Sequence, residues 1–377
     1  MPGPGAHALL SPSSSERWIH CPPSARLCED IADTGSPYAA EGTEAHALCE
    51  YLLKKALGDA PEDPRPTLEQ YTQEMQDCAE GYVQYVLEQA EAIRKQGAEP
   101  VVYVEQKLDM SGYAPECHGT SDAVIVGGGL AVVCDFKYGM TKVPATSSQL
   151  KLYALGVCDL LGCIYEIDRV KMVIFQPRIG SVDEHEMTSE ALYTWARDIL
   201  EPAAKLAWAG DGKTNAGDWC KYCRIKHQCR TLAKRQMELA RYEFRAAALL
   251  SDAETADVLS RVDELVSWAN GVKEYALGQA ISGKRYPGWK LVEGRSNRRY
   301  TDEAKAVDAA IAAGWDPWER SVRSITTMEK LMGKKTFGDV LGAYVEKPRG
   351  KPTLVSESDK RPEWNDAKSD FSDTTND

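Results

Sequence analysis

At 377 residues, 43% of them hydrophobic and 27% charged, the chain is long enough for an enzyme-sized core plus an accessory region. No run approaches the roughly 20 apolar residues that cross a bilayer, and the opening Met1-Pro-Gly-Pro-Gly-Ala-His7 lacks the basic and apolar blocks of a secretory signal. A net charge of -12 argues against a uniformly basic nucleic-acid-coating protein, so any attraction for phosphate must be local.

In chain order, Ser11 to Trp18 reads as a capped short helix leading to Cys21 in Trp18-Ile-His-Cys-Pro-Pro23. Glu41 to Leu57 has helical apolar spacing and carries His46, with Gly42 expected to allow close approach near its start. A second long helix is predicted from about Thr67 to Gln96, with Tyr82, Tyr85, Val86 and Ala90 as a core stripe. Strands follow at 101–107, 122–126, 130–136 and 170–176, with helices at 147–161 and 189–208. The triplet Gly127-Gly-Gly129 marks a hairpin between the second and third strands, because glycine takes positive φ freely. The expected class is therefore α/β, a mixed central sheet flanked by helices.

The candidate chemistry lies in these elements. A strand places residues i and i+2 on one face, so Asp135 and Lys137 of Cys-Asp-Phe-Lys137 point into one cleft. Pairing of the neighbouring strands brings Asp122 towards Asp135. Hard oxygen ligands of this kind suit Mg2+ or Mn2+, and His46 would favour Mn2+ or hold a metal-side water. Lys137 is placed to orient an attacking water and offset charge on a pentavalent phosphorus transition state. Gln149 and Tyr153, one helical turn apart, share a face and are expected to hold phosphate or brace Lys137.

In order, Gly42-x3-His46, Gly119-Thr-Ser-Asp122, Asp135-Phe-Lys137 and Gln149-x3-Tyr153 resemble the RecB-like branch of the PD-(D/E)xK nuclease superfamily. The resemblance implies catalytic roles for His46, Asp122, Asp135, Lys137, Gln149 and Tyr153, with His46, Asp122 and Asp135 holding the metal. Glu105 stands where some relatives carry a further acid, and a plain surface carboxylate is the alternative. From Ala6-His-Ala-Leu-Leu-Ser-Pro-Ser13 to Gly350-Lys-Pro-Thr-Leu-Val-Ser-Glu-Ser-Asp-Lys-Arg-Pro362, nearly the full length is similar to a phage and prophage family described as a domain of unknown function, which implies work on phage DNA in a bacterial host cytosol. Its expected partners are linear DNA ends or single strands and a single-strand-binding or annealing protein. The implied activity is a metal-dependent DNA exonuclease that resects ends for recombination or replication. The alternative is a catalytically weak DNA-binding scaffold, and an RNA nuclease is a weaker third choice.

Cys220-x2-Cys223-x5-Cys229 lies beyond these motifs and Cys21 before them, so a four-thiolate site closes only if the chain returns to its beginning. The split resembles the iron-sulfur subset of RecB-like nucleases, which implies a 4Fe-4S cluster clipping the two ends of the domain. Zn2+ is the competing occupant and Cys28 the alternative fourth ligand. His20 and His227 are expected beside the ligands or exposed to solvent rather than among the ligands. Cys49, Cys78, Cys134, Cys158 and Cys163 read as small hydrophobes and Cys117 as a loop residue. Eleven cysteines with no signal sequence point to a reducing cytosol.

The organisation expected is a nuclease-like domain with its four-cysteine site at 1–230, a mainly helical accessory region at 231–345 and a polar tail at 346–377. Within the accessory region Ser251-Asp-Ala-Glu254 reads as a helix cap. Lys284 to Tyr300 is the most basic and aromatic window, suited either to gripping a single strand or to packing as a small hairpin. No phosphate-binding glycine loop occurs, so no ATPase motor is expected.

Overall fold

The structure, a computed structural model, describes residues 8–31, 37–238, 250–292, 302–314, 317–318 and 322–346. Five strands form one mixed sheet in the order β1 (Val101–Asp109), β2 (His118–Gly127), β3 (Gly129–Phe136), β4 (Ile167–Gln176) and β5 (Ser181–Thr188). β1 to β3 are an antiparallel meander, β3 and β4 run parallel, and β5 returns antiparallel along β4. A parallel pair needs a long crossover, and α5 (Ser148–Leu161) supplies it. The β2–β3 turn has Gly128 at φ +59 and Gly129 at φ +76, the conformation expected of the glycine triplet.

β3 is apolar along almost its whole length because both faces of the sheet are covered. On one face α3 (Pro37–Ala56) and α4 (Gln73–Lys95) pack on Ala123, Ile125, Val132, Cys134, Phe136 and Val173. On the other, α5 packs on Val124, Val126, Ala131, Val133, Val170 and Met172. Beside α5 lie α1 (Ser15–His20), α2 (Ser24–Leu27), α6 (Ser189–Trp195) and α7 (Glu201–Ala209). The result is helices on both faces of a mixed sheet. Tyr82, Val86 and Ala90 are buried in the α4 layer, so the aromatic stripe is core.

Several boundaries differ from the sequence reading. α4 begins at Gln73, where Thr72 Oγ1 accepts from Met75 N at 3.1 Å, rather than near Thr67. The helix expected over 189–208 contains a π segment at Ala196–Leu200; Pro202, which has no N–H to donate, stands two residues beyond it. A Cβ on Gly42 would meet nothing within 4 Å, so its expected close approach is not found. Cys163 is exposed rather than part of the core.

The chain divides into two compact units, Met1–Leu277 and Gly278–Asp377. In the first, α8 (Arg230–Met237) follows the last cysteine, and α9 (Asp252–Ile281) starts where Ser251 and Glu254 exchange the hydrogen bonds of a capping box. The second contains α10 (Glu303–Ala312), α11 (Ile325–Met332) and α12 (Lys334–Leu341), with Phe337 buried. Of the basic aromatic window, Lys284 to Val292 is described and Trp289 is exposed; 293–300 and the tail beyond Glu346 lie outside the described residues.

Candidate active site and thiol cluster

Strand register assembles the acids. Val104 pairs with Ala123 and Gln106 with Ser121, which leaves Glu105 opposite Asp122; one step beyond the Ala123–Cys134 pair, Asp122 lies opposite Asp135. Glu105, Asp122 and Asp135 therefore sit side by side across β1, β2 and β3. Asp122 is fixed at both oxygens: Oδ2 accepts from Phe136 N at 2.7 Å, and Oδ1 lies 3.2 Å from His46 Nδ1. His46 comes from α3, its ring meeting Phe136 edge-on at 5.5 Å. Burial alone would push its pKa down, but the Asp122 charge and hydrogen bond raise it above the usual value.

Asp135 is 3% exposed and its Oδ2 lies 2.8 Å from Lys137 Nζ. That contact is an ion pair of poor hydrogen-bond geometry, and Oδ2 has no other donor. Burial, followed by the Asp122 charge, outweighs Lys137 and raises the Asp135 pKa. Lys137 loses by burial but gains more from Asp135, so its pKa is raised too. A buried ion pair is a poor way to stabilise a fold, because desolvation offsets most of the Coulomb gain. Its presence at the end of a central strand fits chemistry better than stability. Glu105 shows the same pressure: burial, then Asp122 and Glu50, push it up to about 7. Its backbone takes φ +51, a conformation rare outside glycine and enriched at functional sites.

On α5, Gln149 Nε2 donates to Tyr153 Oη at 3.2 Å, so the two side chains brace each other. Burial, followed by the Asp135 charge, lifts the Tyr153 phenol to about 12. A Cβ on Gly119 would come 2.9 Å from Tyr153 Cε1, so the glycine of the Gly119-x-x-Asp122 step makes room for that ring. The segment after Lys137 is held from below by residues the sequence reading did not single out. Gln176, buried at the end of β4, accepts from Val143 N at 2.8 Å and donates to Thr141 O at 3.0 Å and Gly139 O at 3.3 Å. Asp183 of β5 accepts from Ala145 N at 2.7 Å. A polar residue closing the apolar run Val173-Ile-Phe-Gln176 was the available signal for the first.

The thiols also converge. Cys21, Cys220, Cys223 and Cys229 line one small cavity, and Cys21 Sγ accepts from Asn215 N at 3.4 Å. Cys28 is a fifth member, its Sγ 3.8 Å from Cys223 Sγ. Hydrogen bonding to Cys223 lowers the Cys28 thiol to about 6 and raises that of Cys223. His20, which is exposed, stacks on Trp219 at 4.4 Å, and a Cβ on Gly271 of α9 would collide with the His227 ring. α9 also braces this loop through Trp268 Nε1 to Lys226 O at 3.3 Å and Tyr275 Oη to Gln228 Oε1 at 3.0 Å.

Among the described residues, no three His, Cys, Asp or Glu side chains come close enough to enclose an ion as they stand. The carboxylates are turned onto Lys137 and His46. The donor types nevertheless fit such groups: hard oxygens and an imidazole near a buried Asp135 oxygen short of donors would suit Mg2+ or Mn2+, and four thiols on one cavity would suit a 4Fe-4S cluster or Zn2+.

A family model matches residues 7–362. The chain belongs to that family, described as "Protein of unknown function (DUF2800)". Both constellations of this DUF2800 chain lie inside the matched region. One solved protein, "Crystal structure of SSO0001", is 16% identical over 51% of this chain and 98% of that one, with a TM-score of 0.21, too low to bear on fold or function. Among the described residues of the DUF2800 chain no helix is long and apolar enough to cross a membrane.

Proposed function

We propose that this DUF2800 protein is a metal-dependent DNA nuclease of the RecB-like PD-(D/E)xK type, acting as an exonuclease on DNA ends in phage recombination or replication. The observation that carries the reading is the buried Asp135–Lys137 pair beside Asp122, with His46 closing the group. Asp122, Asp135 and His46 would hold Mg2+ or Mn2+, with Glu105 as a neighbouring acid. When bound, the ion would supply Lewis-acid polarisation of the scissile phosphate and lower the pKa of a bound water.

The chain's own residues do the rest. Lys137, kept cationic by Asp135, orients the attacking water and offsets charge on the phosphate oxygens. His46 and Phe136 N fix the Asp122 carboxylate, and a pre-set ligand needs little reorganisation when substrate arrives. Tyr153, still protonated at neutral pH, can donate a hydrogen bond to a phosphate oxygen with Gln149 fixing its hydroxyl. Cys21, Cys220, Cys223 and Cys229 would hold a 4Fe-4S cluster whose work is structural, clipping the α1–α2 arm to the segment after α7. DNA is the substrate proposed, with a single-strand-binding or annealing protein as partner.

The test is a time course on DNA with Mg2+ or Mn2+, comparing an end-labelled linear duplex with a covalently closed circle. Release of short labelled products from the linear substrate with the circle intact is expected. Nicking of the circle would replace the exonuclease reading with an endonuclease. No product from either, with DNA still bound, would make the protein a scaffold.

A further inference from the structure

Among the thiols, Cys28 has no part in the proposed four-ligand set, yet it is the one in contact with a ligand sulfur. Its Sγ lies 3.8 Å from Cys223 Sγ, across 195 residues of sequence. Both are buried, Cys28 at 2% and Cys223 at 7% exposure. Their backbones are tied by Arg224, whose Nη1 donates to Cys28 O at 3.4 Å and Ile31 O at 2.9 Å. Arg17 Nη1 fixes the preceding turn by donating to Ser24 O at 2.6 Å. Cys21, by contrast, has its sulfur on Asn215 N.

We propose that Cys28 and Cys223 are a redox pair that closes to an intrachain disulfide when Cys223 is free of metal, keeping the two arms clipped in the metal-free protein. Bonded sulfurs are about 2.05 Å apart, so closure brings the two sulfurs nearer than their present 3.8 Å contact. Hydrogen peroxide is the oxidant, and Cys223 faces the small cavity it lines with Cys21, Cys220 and Cys229. One thiolate sulfur attacks a peroxide oxygen, the O–O bond breaks, hydroxide leaves, and a sulfenic acid forms. The second thiol's sulfur attacks that sulfur, the S–O bond breaks, and water leaves. Two thiols and one peroxide give one disulfide and two waters, the two electrons passing from sulfur to oxygen. Metal bound at Cys223 withholds its sulfur from this reaction, so the two clips alternate. The inference concerns the metal-free chain and stands apart from the DNA-cutting reading.

The experiment uses the full chain, stripped of metal by chelator under reductant, desalted without oxygen, and treated with one equivalent of hydrogen peroxide. Free thiols are then alkylated and the digest is read by mass spectrometry, with circular dichroism recorded before digestion. A dominant Cys28–Cys223 linked peptide is expected, absent from Cys28→Ser and retained in Cys21→Ser. A dominant link through Cys21, Cys220 or Cys229, or a fully alkylated Cys28, would overturn the proposal. Collapse of the stripped chain with scrambled pairing would do the same, because the pair is proposed to outlast the metal.

Discussion

Glu105 departs from the behaviour of an ordinary surface carboxylate. Its carboxyl, raised to about 7 by burial and by Asp122 and Glu50, binds its proton more tightly in the folded chain than in the unfolded one. With metal chelated, the folded state carries the extra proton between the ordinary carboxylate range and about pH 7, so stability falls as pH rises through that window. Glu105→Gln should flatten the fall and raise the unfolding midpoint at pH 8 while leaving it nearly unchanged at pH 4. Parallel midpoint-versus-pH curves for the two proteins would mean the carboxyl is not under that pressure. The sequence offered Glu105 as a strand residue where some relatives carry a further acid, with a plain surface carboxylate as the alternative. Its place opposite Asp122 is a product of register, set by two strands together, and its left-handed backbone carries no mark in an Ala- or Gly-free window.

At the scale of elements, the loop between Lys137 and α5 depends on Gln176. Gln176→Leu would remove its bonds to Val143 N, Thr141 O and Gly139 O at once, and each buried polar group left unpaired costs about 1–3 kcal/mol. The expected result is a destabilised chain with faster amide exchange at Val143, read by hydrogen-exchange mass spectrometry. Unchanged exchange there would show that the loop is held by other contacts. Four strands and the α3, α4 and α5 helices were legible because buried strands read as apolar runs and buried helix faces as stripes of period 3.6. β5 was not. Its sequence Ser-Val-Asp-Glu-His-Glu-Met-Thr alternates exposed and half-buried positions along an edge, where charge is tolerated and guards against pairing with other chains. Its acids are engaged across the sheet, Glu184 with Lys171 at 2.8 Å and Glu186 with Arg169 at 2.6 Å, contacts no one-dimensional pattern displays.

For the whole molecule, the four ordered motifs and the Cys220 to Cys229 cluster were readable because each is a short local signature, and folding brings residues of these motifs, with the distant Cys21, into two groups. Asp122, Asp135, Lys137 and His46 form one; Cys21, Cys220, Cys223 and Cys229 line the other, with Cys28 added by the turn after α2. A clip joining residues 21 and 220–229 closes a loop of about 200 residues, and its stabilising effect grows only slowly with that length. Protein purified without oxygen should be brown, absorbing broadly near 400 nm or so from thiolate-to-iron charge transfer. Cys220→Ser should be colourless and less soluble. Stoichiometric zinc without iron would replace the cluster and leave the acidic site untouched.

On the proposed nuclease reading, the acidic balance of the chain would leave the gripping of DNA to bound cations and local lysines, so loss of a proposed metal ligand should silence the site. The most direct measurement is cleavage of linear DNA with Mn2+ by wild type, Asp135→Ala and Lys137→Ala, each checked for an unchanged circular dichroism spectrum. The wild type should cut, Asp135→Ala should not, and Lys137→Ala should be slower by about a hundredfold or more, as for loss of a single electrostatic donor. Undiminished cutting by folded, pure Asp135→Ala would contradict the account at its centre.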